Sequence, residues 1–388
     1  MQKTDFSRLD LTRLPSPCFV VDEVAVRRNL EVLADVQERS GARILGALKA
    51  FSMWSIGDLV GRYLSGTCAS GLHELRLGHE HYGGECHVFS AAYSQQDFDE
   101  ILNLADTVVF NSFGQWQRFQ PQIQAAKQRR PNLQFGLRIN PEHSEGDVPI
   151  YDPCAPGSRL GILRAQFEGQ SLEGISGLHF HTLCEHDFPP LQRTLKAVED
   201  KFGAFLPQMQ WVNFGGGHHI TRDDYQRDAL VDAIRAFADR HQVQVYLEPG
   251  EAVAIHTGIL VAEVLDLSWN GLDQAILNTS ATCHMPDTLE MPYRAAISGA
   301  GQPDAFPHTY RLGGMTCLAG DVIGDYAFPK PLEIGQRLIF EDMAHYTMVK
   351  TTTFNGTKLP AIVLWNSETD ALRVVREFGY EDFKTRLS

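Results

Sequence analysis

The sequence has no long apolar segment and no paired-cysteine motif. No uninterrupted apolar run approaches the ~20 residues that cross a bilayer, and no apolar stretch follows a basic start as in a secretory signal peptide. The 7 cysteines are scattered and never occur as CxxC, which favours free thiols in a reducing compartment over disulfides or a structural zinc site. We therefore expect a cytoplasmic protein without a membrane segment.

Basic residues are fewer than acidic ones, 34 against 48, which gives a formal net charge of -14. This balance argues against nonspecific nucleic-acid binding and weakly favours cationic small molecules as partners. Hydrophobic residues make up 43% and charged residues 21% of the 388 positions, as in ordinary globular proteins. The length allows two domains, or one barrel with a large appendage.

Short apolar runs alternate with helical patterns from about residue 24 to residue 260, with helices predicted over 97–105 and 227–241. Apparent strands span residues 42–48, 87–90, 107–111, 134–140, 174–181, 211–217 and 243–250. Because these runs are apolar throughout and end in polar or glycine-rich residues, they favour a parallel (β/α)8 barrel over an open doubly wound sheet. Chemistry in such barrels lies at the carboxyl ends of the strands.

After about residue 260 the strands follow one another without intervening helices, which indicates an antiparallel β domain. Its apparent strands span residues 258–269, 274–280, 293–300, 309–314, 336–343, 346–356 and 360–366. We expect the barrel over residues 23–262 and the β domain over residues 263–388, to which residues 1–22 add an N-terminal strand.

A single lysine, Lys49, ends the apolar run of the first barrel strand. An ammonium there loses favourable hydration unless something compensates it. The stretch alone is compatible with two roles. Lys49 could bury its stem and extend its amine to water, or it could have a lowered pKa and act as a nucleophile or Schiff-base residue.

Three further motifs follow barrel strands. The glycines 215–217 in NFGGGHH can turn sharply and offer backbone N–H groups to an anion such as phosphate. In LHFHTLCEH, His179 and His181 could ligate zinc, or one of them could lie flat against an aromatic cofactor. In LEPGEA, Glu248 could pair with a protonated ring nitrogen or simply accept backbone N–H bonds.

Two motifs of the β domain carry reactive side chains. The stretch GGMTCLAGD (313–321) puts Cys317 and Asp321 in a glycine-rich turn, and AHYTM (344–348) puts Tyr346 in a predicted strand. Because a lone cysteine is usually inert, neither motif decides a function by itself.

Taken in chain order, these motifs resemble the pyridoxal-phosphate (PLP)-dependent amino-acid decarboxylases with the alanine-racemase-like fold (fold type III), which include ornithine and diaminopimelate decarboxylases. The resemblance is closest to the branch acting on carboxynorspermidine and carboxyspermidine, through LGALKAF, HFHTLCE, NFGGGHH, LEPGEA, HMPDTLEMPYR and FEDMAHYTMVKTTTFNG. It covers nearly the whole chain. It implies a PLP-binding (β/α)8 barrel with a β domain, a decarboxylase of polyamine biosynthesis, and a homodimer with active sites at the subunit interface.

The resemblance also implies a role for each matched residue. Lys49 would hold PLP as a Schiff base, His181 would stack on its ring, and Glu248 would keep the ring nitrogen protonated so that the ring accepts electrons. Lys49 or Cys317 would return a proton to the substrate, with Cys317 reaching the cofactor from the partner subunit. The remaining matched residues would surround the phosphate or support the site, namely Gly215, Gly216, Gly217, Tyr346, Arg138 and Glu74.

Departures from the family pattern point to the substrate. The family usually has an arginine facing the phosphate directly after Glu-Pro-Gly, but this chain has Glu251. Together with Asp287, Glu251 would bind the amines of a cationic polyamine chain, and Asp321 and Cys317 would complete the substrate site. Both Glu251 and Asp287 could instead be solvated surface carboxylates.

Two more departures concern neighbouring positions. Leu318 stands where ornithine and diaminopimelate decarboxylases carry an acidic residue, which weakens the alternative of a shorter diamino acid as substrate. Cys184 replaces the family's serine near the phosphate, so contacts from that loop are in doubt. A zinc-dependent barrel hydrolase and a non-catalytic PLP-binding protein are further alternatives, although the latter generally consists of a barrel alone.

Overall fold

A computed structural model of the chain describes residues 4–146 and 148–388. These residues form two compact units, residues 27–253 and residues 4–26 together with 254–388. Residues 254–262, which the sequence-based boundary assigned to the barrel, lie in the second unit because one continuous strand begins at Gly258. In the described part of the chain, no helix combines the length and apolar character that crossing a bilayer requires.

The described chain first forms β1 (Cys18–Asp22) and α1 (Glu23–Ser40), and then a closed barrel of eight parallel strands. The barrel strands are β2 (Arg43–Ala47), β3 (Gly66–Ala69), β4 (Glu85–Phe89), β5 (Thr107–Phe110), β6 (Gln134–Arg138), β7 (Gly177–His179), β8 (Trp211–Asn213) and β9 (Gln244–Leu247). Strand β2 closes the ring by pairing with both β3 and β9. The predicted parallel barrel is therefore confirmed, with β3 as a strand that the sequence reading missed.

Helices follow most of the barrel strands. They are α2 (Gly57–Gly61), α3 (Leu72–His81), α4 (Phe98–Leu104), α5 (Phe113–Arg118), α6 (Gln120–Arg129), α7 (Phe188–Phe202), α8 (Arg227–His241) and the short α9 (Glu251–Ala254). Helix α8 spans the predicted residues and buries Leu230, Ile234 and Phe237, which share one face at helical spacing. It ends at Gln242, whose left-handed backbone stops the helix.

The barrel interior is filled around Trp211. The neighbouring Gly177 leaves the space for its indole, because a Cβ at that position would overlap the ring. Leu45, Val109 and Tyr246 pack against Trp211 in the same cluster. Because the interior is filled with side chains, chemistry is restricted to the ends of the strands.

The second unit is an eight-stranded sheet in the order β13-β12-β11-β10-β1-β15-β16, with β14 paired to β10. Its strands after β1 are β10 (Gly258–Trp269), β11 (Asp273–Leu277), β12 (His308–Gly313), β13 (Val322–Phe328), β14 (Arg337–Glu341), β15 (Ala361–Asn366) and β16 (Ala371–Arg376). Three short helices complete it, α10 (Ala281–His284), α11 (Asp287–Glu290) and α12 (Tyr380–Lys384). The sheet is mixed, not purely antiparallel as expected, because β1 pairs parallel with β15 and β11 pairs parallel with β12.

Two predicted strands of this unit are wrong. Residues 293–300 form only an isolated bridge between Ile297 and Phe340. Residues 346–356 form turns and a 3₁₀ segment (Phe354–Gly356), although their threonines are typical of strands. Tyr346 has φ +45°, a left-handed conformation that is incompatible with an extended strand.

Candidate active site

Lys49 and His181 meet at the carboxyl ends of two barrel strands. Lys49 follows β2 by two residues and His181 follows β7 by two, and their Nζ and Nε2 atoms are 3.2 Å apart. The backbone N–H of Gly216 donates to Nδ1 of His181 at 3.1 Å. Because Nδ1 accepts this bond, the imidazole proton lies on Nε2 and points at the lysine. The geometry therefore fits a neutral lysine amine that accepts a hydrogen bond from His181.

The surroundings favour the neutral form of both groups. Lys49 is exposed at the barrel end, but the protein around its amine desolvates it and lowers its pKa, and the Arg138 guanidinium acts in the same direction. Burial likewise holds the pKa of His181 well below its usual range, with Lys49 and Arg138 adding to the effect. An unprotonated amine is nucleophilic, whereas an ammonium is not. Of the two roles open for Lys49, the structure favours the reactive one.

Glu248 directly follows β9 and is held by two side chains. Nε2 of His179 is 3.1 Å from one carboxylate oxygen, and Nδ2 of Asn213 donates to the other at 2.7 Å. Burial alone would raise the pKa of Glu248, but His179, His87 and the Asn213 bond lower it to about 2. The carboxylate is thus ionised at neutral pH despite being mostly buried.

The glycines 215–217 form a tight turn without room for side chains. Gly215 and Gly217 have φ +71° and +84°, which glycine adopts readily. A Cβ on Gly216 would overlap the carbonyl of Glu248, and one on Gly217 would overlap that of Leu183. The turn itself therefore requires glycine at these positions, and phosphate binding by its backbone stays a prediction of the motif.

Arg138 ends β6 and is buried, with 5% exposure. Its NH2 group donates to the carbonyl of His181 at 2.9 Å, and its guanidinium lies 4.6 Å from the centre of the Phe89 ring. Burial lowers its pKa to about 10, so it remains charged at neutral pH. Glu74, the other supporting residue, accepts the Ser70 backbone N–H at 2.7 Å in the first turn of α3.

Glu251 begins α9, three residues after Glu248. Its carboxylate lies 3.1 Å from Nε2 of His219, with side-chain exposures of 19% and 7%. Glu251 also helps to raise the pKa of Cys184, after burial and Glu185, and Lys49 opposes the shift. Because Glu251 follows β9 closely, pairs with His219 and is 19% exposed, it lies at the same end of the barrel as Glu248 and is not a solvated surface carboxylate.

The histidines of LHFHTLCEH do not converge on one point. His179 contacts Glu248, His181 contacts Lys49, and Nε2 of His186 contacts the carbonyl of Glu145 at 2.8 Å. Over residues 4–146 and 148–388, no group of three or more His, Cys, Asp or Glu side chains is arranged to hold a metal ion. The arrangement of these histidines gives no support to the zinc-hydrolase alternative.

In the second unit, Cys317 is exposed on the loop between β12 and β13. Its backbone N–H donates to the side-chain oxygen of Asn355 at 2.8 Å. Three large apolar side chains are also exposed. Met315 and Leu318, at 46% each, are close to Cys317 in sequence, and Phe354, at 44%, directly precedes Asn355. The thiol is thus presented on an apolar surface of this unit.

Asp321 ends the same loop and is 4% exposed. Its carboxylate accepts bonds from the Ser280 hydroxyl, the Thr282 backbone N–H, and both the backbone N–H and the hydroxyl of Thr316. These internal donors occupy the carboxylate without a substrate. The structure therefore favours a loop-organising role for Asp321 over the expected substrate contact.

We expect Asp321→Asn to lower the free energy of unfolding by about 2–4 kcal/mol, because the amide NH2 would face backbone and hydroxyl donors in a buried place. Chemical denaturation measures this, with the exposed strand residue Asp273 as the matched control in Asp273→Asn. An unchanged unfolding free energy combined with a raised KM would instead assign Asp321 to the substrate.

Asp287 and Glu290 lie on α11, and Lys350 bonds both carboxylates. The Lys350 ammonium contacts Oδ1 of Asp287 and lies 2.9 Å from Oε2 of Glu290. Asp287 is thus already compensated by a cation, a contact between positions far apart in sequence.

Tyr346 lies in the turn after β14, where its carbonyl accepts the backbone N–H groups of Val349 and Lys350.

The sequence reading missed three residues beside Glu248. His179 was considered as a metal ligand or as a ring against a cofactor, not as a partner of Glu248, and Asn213 and Cys68 were not singled out. Burial raises the pKa of the Cys68 thiol well above its usual range, and Glu248 adds to this. The alternation of side chains along a strand could have placed His179 and His181 on the same side. It could not have predicted which residue each of them contacts.

Comparison with known proteins identifies the family. Residues 18–344 match the family described as pyridoxal-dependent decarboxylase, C-terminal sheet domain. The chain belongs to the pyridoxal-dependent decarboxylases. It is therefore a PLP-dependent carboxy-lyase, which confirms the predicted cofactor and enzyme class.

Similar proteins extend over nearly the full length of this decarboxylase. A carboxyaminopropylagmatine decarboxylase from Synechocystis sp. is 44% identical over 97% of this chain and 96% of its own. A carboxynorspermidine/carboxyspermidine decarboxylase from Campylobacter jejuni is 43% identical over 96% and 99%. The crystal structure of carboxynorspermidine decarboxylase from Campylobacter jejuni, complexed with norspermidine, has a TM-score of 0.88 at 42% identity and covers 96% of this chain and 100% of that one.

The barrel residues fit PLP, which carries an aldehyde, a ring nitrogen and a phosphate. The lowered pKa of the Lys49 amine suits attachment to the aldehyde, and the ionised carboxylate of Glu248 suits a protonated ring nitrogen. In the glycine turn over residues 215–217, the N–H groups of Gly215 and Gly216 already bond Asn213 and His181, so the turn would meet the phosphate from Gly217 onward.

Proposed function

We propose that this decarboxylase removes the α-carboxylate of carboxynorspermidine and carboxyspermidine to give norspermidine and spermidine, a step of polyamine biosynthesis. The observation that carries the proposal is the near-complete match to the Campylobacter jejuni structure named for its complex with norspermidine. The electrostatics support it, because Glu251 puts a carboxylate at the barrel end where a cationic chain needs one.

Carboxyaminopropylagmatine is a second candidate substrate, favoured by the relative at 44% identity. It shares the amino-acid head and a cationic tail but ends in a guanidinium where carboxynorspermidine ends in an amine. Measuring CO2 release from each compound tests the proposal, with ornithine and diaminopimelate as comparison substrates. We expect kcat/KM to be highest for carboxynorspermidine or carboxyspermidine. Faster turnover of diaminopimelate or ornithine would contradict the proposal.

A shorter diamino acid fits less well. A solved diaminopimelate decarboxylase has a TM-score of 0.81 at 19% identity. This similarity shows the fold alone. Leu318 provides no charge at the position where those enzymes carry an acidic residue. Carboxynorspermidine and carboxyspermidine differ by one methylene, worth only ~1–3 kcal/mol in a pocket, so we propose that both are used.

We propose that the barrel residues bind and orient the cofactor. Lys49 would attach it through its amine, the turn formed by glycines 215–217 would hold its phosphate, and His181 would lie against its ring. Glu248 holds a proton on the ring nitrogen. When bound, PLP supplies an electron-accepting ring that stabilises the charge left on the α-carbon as CO2 departs. Arg138 would hold His181 in place by donating to the His181 carbonyl, and Tyr346 would contact the phosphate.

The α-carbon takes up a proton after CO2 leaves, and we assign the donor to Cys317 or Lys49. Lys49 is already at the barrel end, and its protonated form can deliver a proton from Nζ. Cys317 is exposed and fixed through its own backbone N–H, so its thiol is free to meet a substrate. These are proposals for the residues of this chain.

Glu251→Gln should raise the KM for carboxynorspermidine about 10-fold with a smaller change in kcat, because it removes a partly buried charge that faces a cationic chain. Asp287→Asn is the paired variant, and we expect a smaller rise because Lys350 already compensates Asp287. Steady-state kinetics of both variants check this. An unchanged KM in Glu251→Gln would remove Glu251 from the substrate site.

We also propose a homodimer in the cytoplasm. The exposed side chains of Met315, Leu318 and Phe354 around Cys317 are large and apolar, which suits a surface that a second subunit covers. In such a dimer each Cys317 would serve the partner's site. All 7 cysteines are free, as expected in a reducing compartment.

A further inference from the structure

Side chains at the ends of two neighbouring strands bond both carboxylate oxygens of Glu248. His179 ends β7 and reaches one oxygen at 3.1 Å, and Asn213 ends β8 and reaches the other at 2.7 Å. His179 and Asn213 are buried, at 1% and 0% exposure. The role proposed for Glu248 toward the ring nitrogen does not by itself explain why His179 and Asn213 bond its two oxygens.

The orientation of the Asn213 amide is fixed by the glycine turn. Its Oδ1 accepts the backbone N–H of Gly215 at 2.8 Å, so its NH2 must face Glu248. The backbone N–H of Glu248 in turn donates to the carbonyl of Gly215 at 2.7 Å. The carboxylate and the turn therefore form one hydrogen-bonded unit, which fixes the spacing between the groups assigned to the ring nitrogen and to the phosphate.

The tautomer of His179 follows from its surroundings. Its ring stacks on Phe89 at 5.5 Å between centres, and within the described residues its Nδ1 has no hydrogen-bond partner. Since Nε2 faces an ionised carboxylate, Nε2 carries the proton and donates it as a hydrogen bond. Each carboxylate oxygen has a second lone pair, so Glu248 can still accept a hydrogen bond from a cofactor.

We propose that His179 and Asn213 are positioning residues that keep the Glu248 carboxylate ionised and aimed at the ring nitrogen of PLP. Without these donors, a buried carboxylate takes up a proton and loses its attraction for a protonated ring nitrogen. The proposal rests on the role assigned to Glu248 and does not depend on which substrate the enzyme uses.

The test is equilibrium binding to the apoenzyme of PLP and of its 1-deaza analogue, which has carbon in place of the ring nitrogen. His179→Leu should weaken PLP binding about 10- to 100-fold, the range for a lost hydrogen bond to a charged group. Binding of the analogue should change by less than about 3-fold, since it offers Glu248 no N–H. His179→Gln places an amide NH2 near the position of Nε2 and should restore most of the difference.

Asn213→Ser gives a second measurement if His179→Leu does not fold. Because Asn213 also holds the Gly215 backbone N–H, both ligands should bind more weakly, with the greater loss for PLP. His218→Leu is the matched control, because His218 is equally buried in the barrel unit but bonds Tyr225 at 2.6 Å. Equal losses for both ligands, or no loss for PLP, would overturn the proposal. A failure of polyamine decarboxylation with selective cofactor binding intact would refute only the proposed substrate.

Discussion

Lys49→Ala should lower kcat for the decarboxylation by about 10³-fold or more and remove the absorption of the bound cofactor near the visible edge, because the only group assigned to attach PLP covalently is gone. The structure supports a large effect. His181 donates toward Nζ, and both desolvation and Arg138 favour the unprotonated amine. Absorption spectra of the purified variant and CO2 release from carboxynorspermidine measure the two losses.

Lys196→Ala is the control for this variant, because Lys196 is 75% exposed and pairs with Asp200 on α7. It should keep the wild-type spectrum and rate. Lys49→Arg retains a cation but not a nucleophilic amine, so it should resemble Lys49→Ala. Persistence of the cofactor absorption in Lys49→Ala would show that another residue carries PLP.

The barrel and its main site residues could be predicted from the sequence because their signals are local. A parallel strand buried on both faces appears as a continuous apolar run, and its last residues mark the reactive end of the barrel. Lys49, His181 and Glu248 all follow such runs, and the structure brings Lys49 to His181. Strand β3 was missed because it has only four residues, GTCA, and no apolar run.

Contacts between distant positions could not be predicted in the same way. Asp287 looked available for substrate, yet Lys350, 63 residues later, bonds it. Asp321 was assigned to the substrate from its glycine-rich turn, yet Ser280 and Thr316 bond its carboxylate. Charge alone does not show whether a carboxylate faces a ligand or an internal donor, since that depends on which loops fold together.

Tyr346 illustrates a different limit. The threonines around it are typical of strands, but a residue with φ +45° leaves the extended region whatever its neighbours prefer. Such a conformation in a bulky residue persists only when the surrounding structure holds it, and it often marks a functional loop. Here two backbone N–H groups that donate to its carbonyl hold the turn.

Mixing equal amounts of Lys49→Ala and Cys317→Ala subunits, each inactive alone, should restore about 25% of wild-type activity, because half of randomly formed dimers are mixed and each has one intact site of two. This expectation rests on the proposal that Cys317 serves the partner's site. The exposed thiol and its apolar surroundings on the second unit support it. Activity is measured after exchange of subunits under dissociating conditions.

Cys317→Ser mixed with Lys49→Ala is the companion experiment, since a hydroxyl keeps the size of the side chain but is a much weaker acid than a thiol. Each single variant, carried through the same exchange alone, sets the background. If each site were built from one subunit, both subunits of every mixed dimer would carry a defective site, and activity would stay at that background. Recovery near a quarter therefore requires that Lys49 and Cys317 act across the subunit boundary.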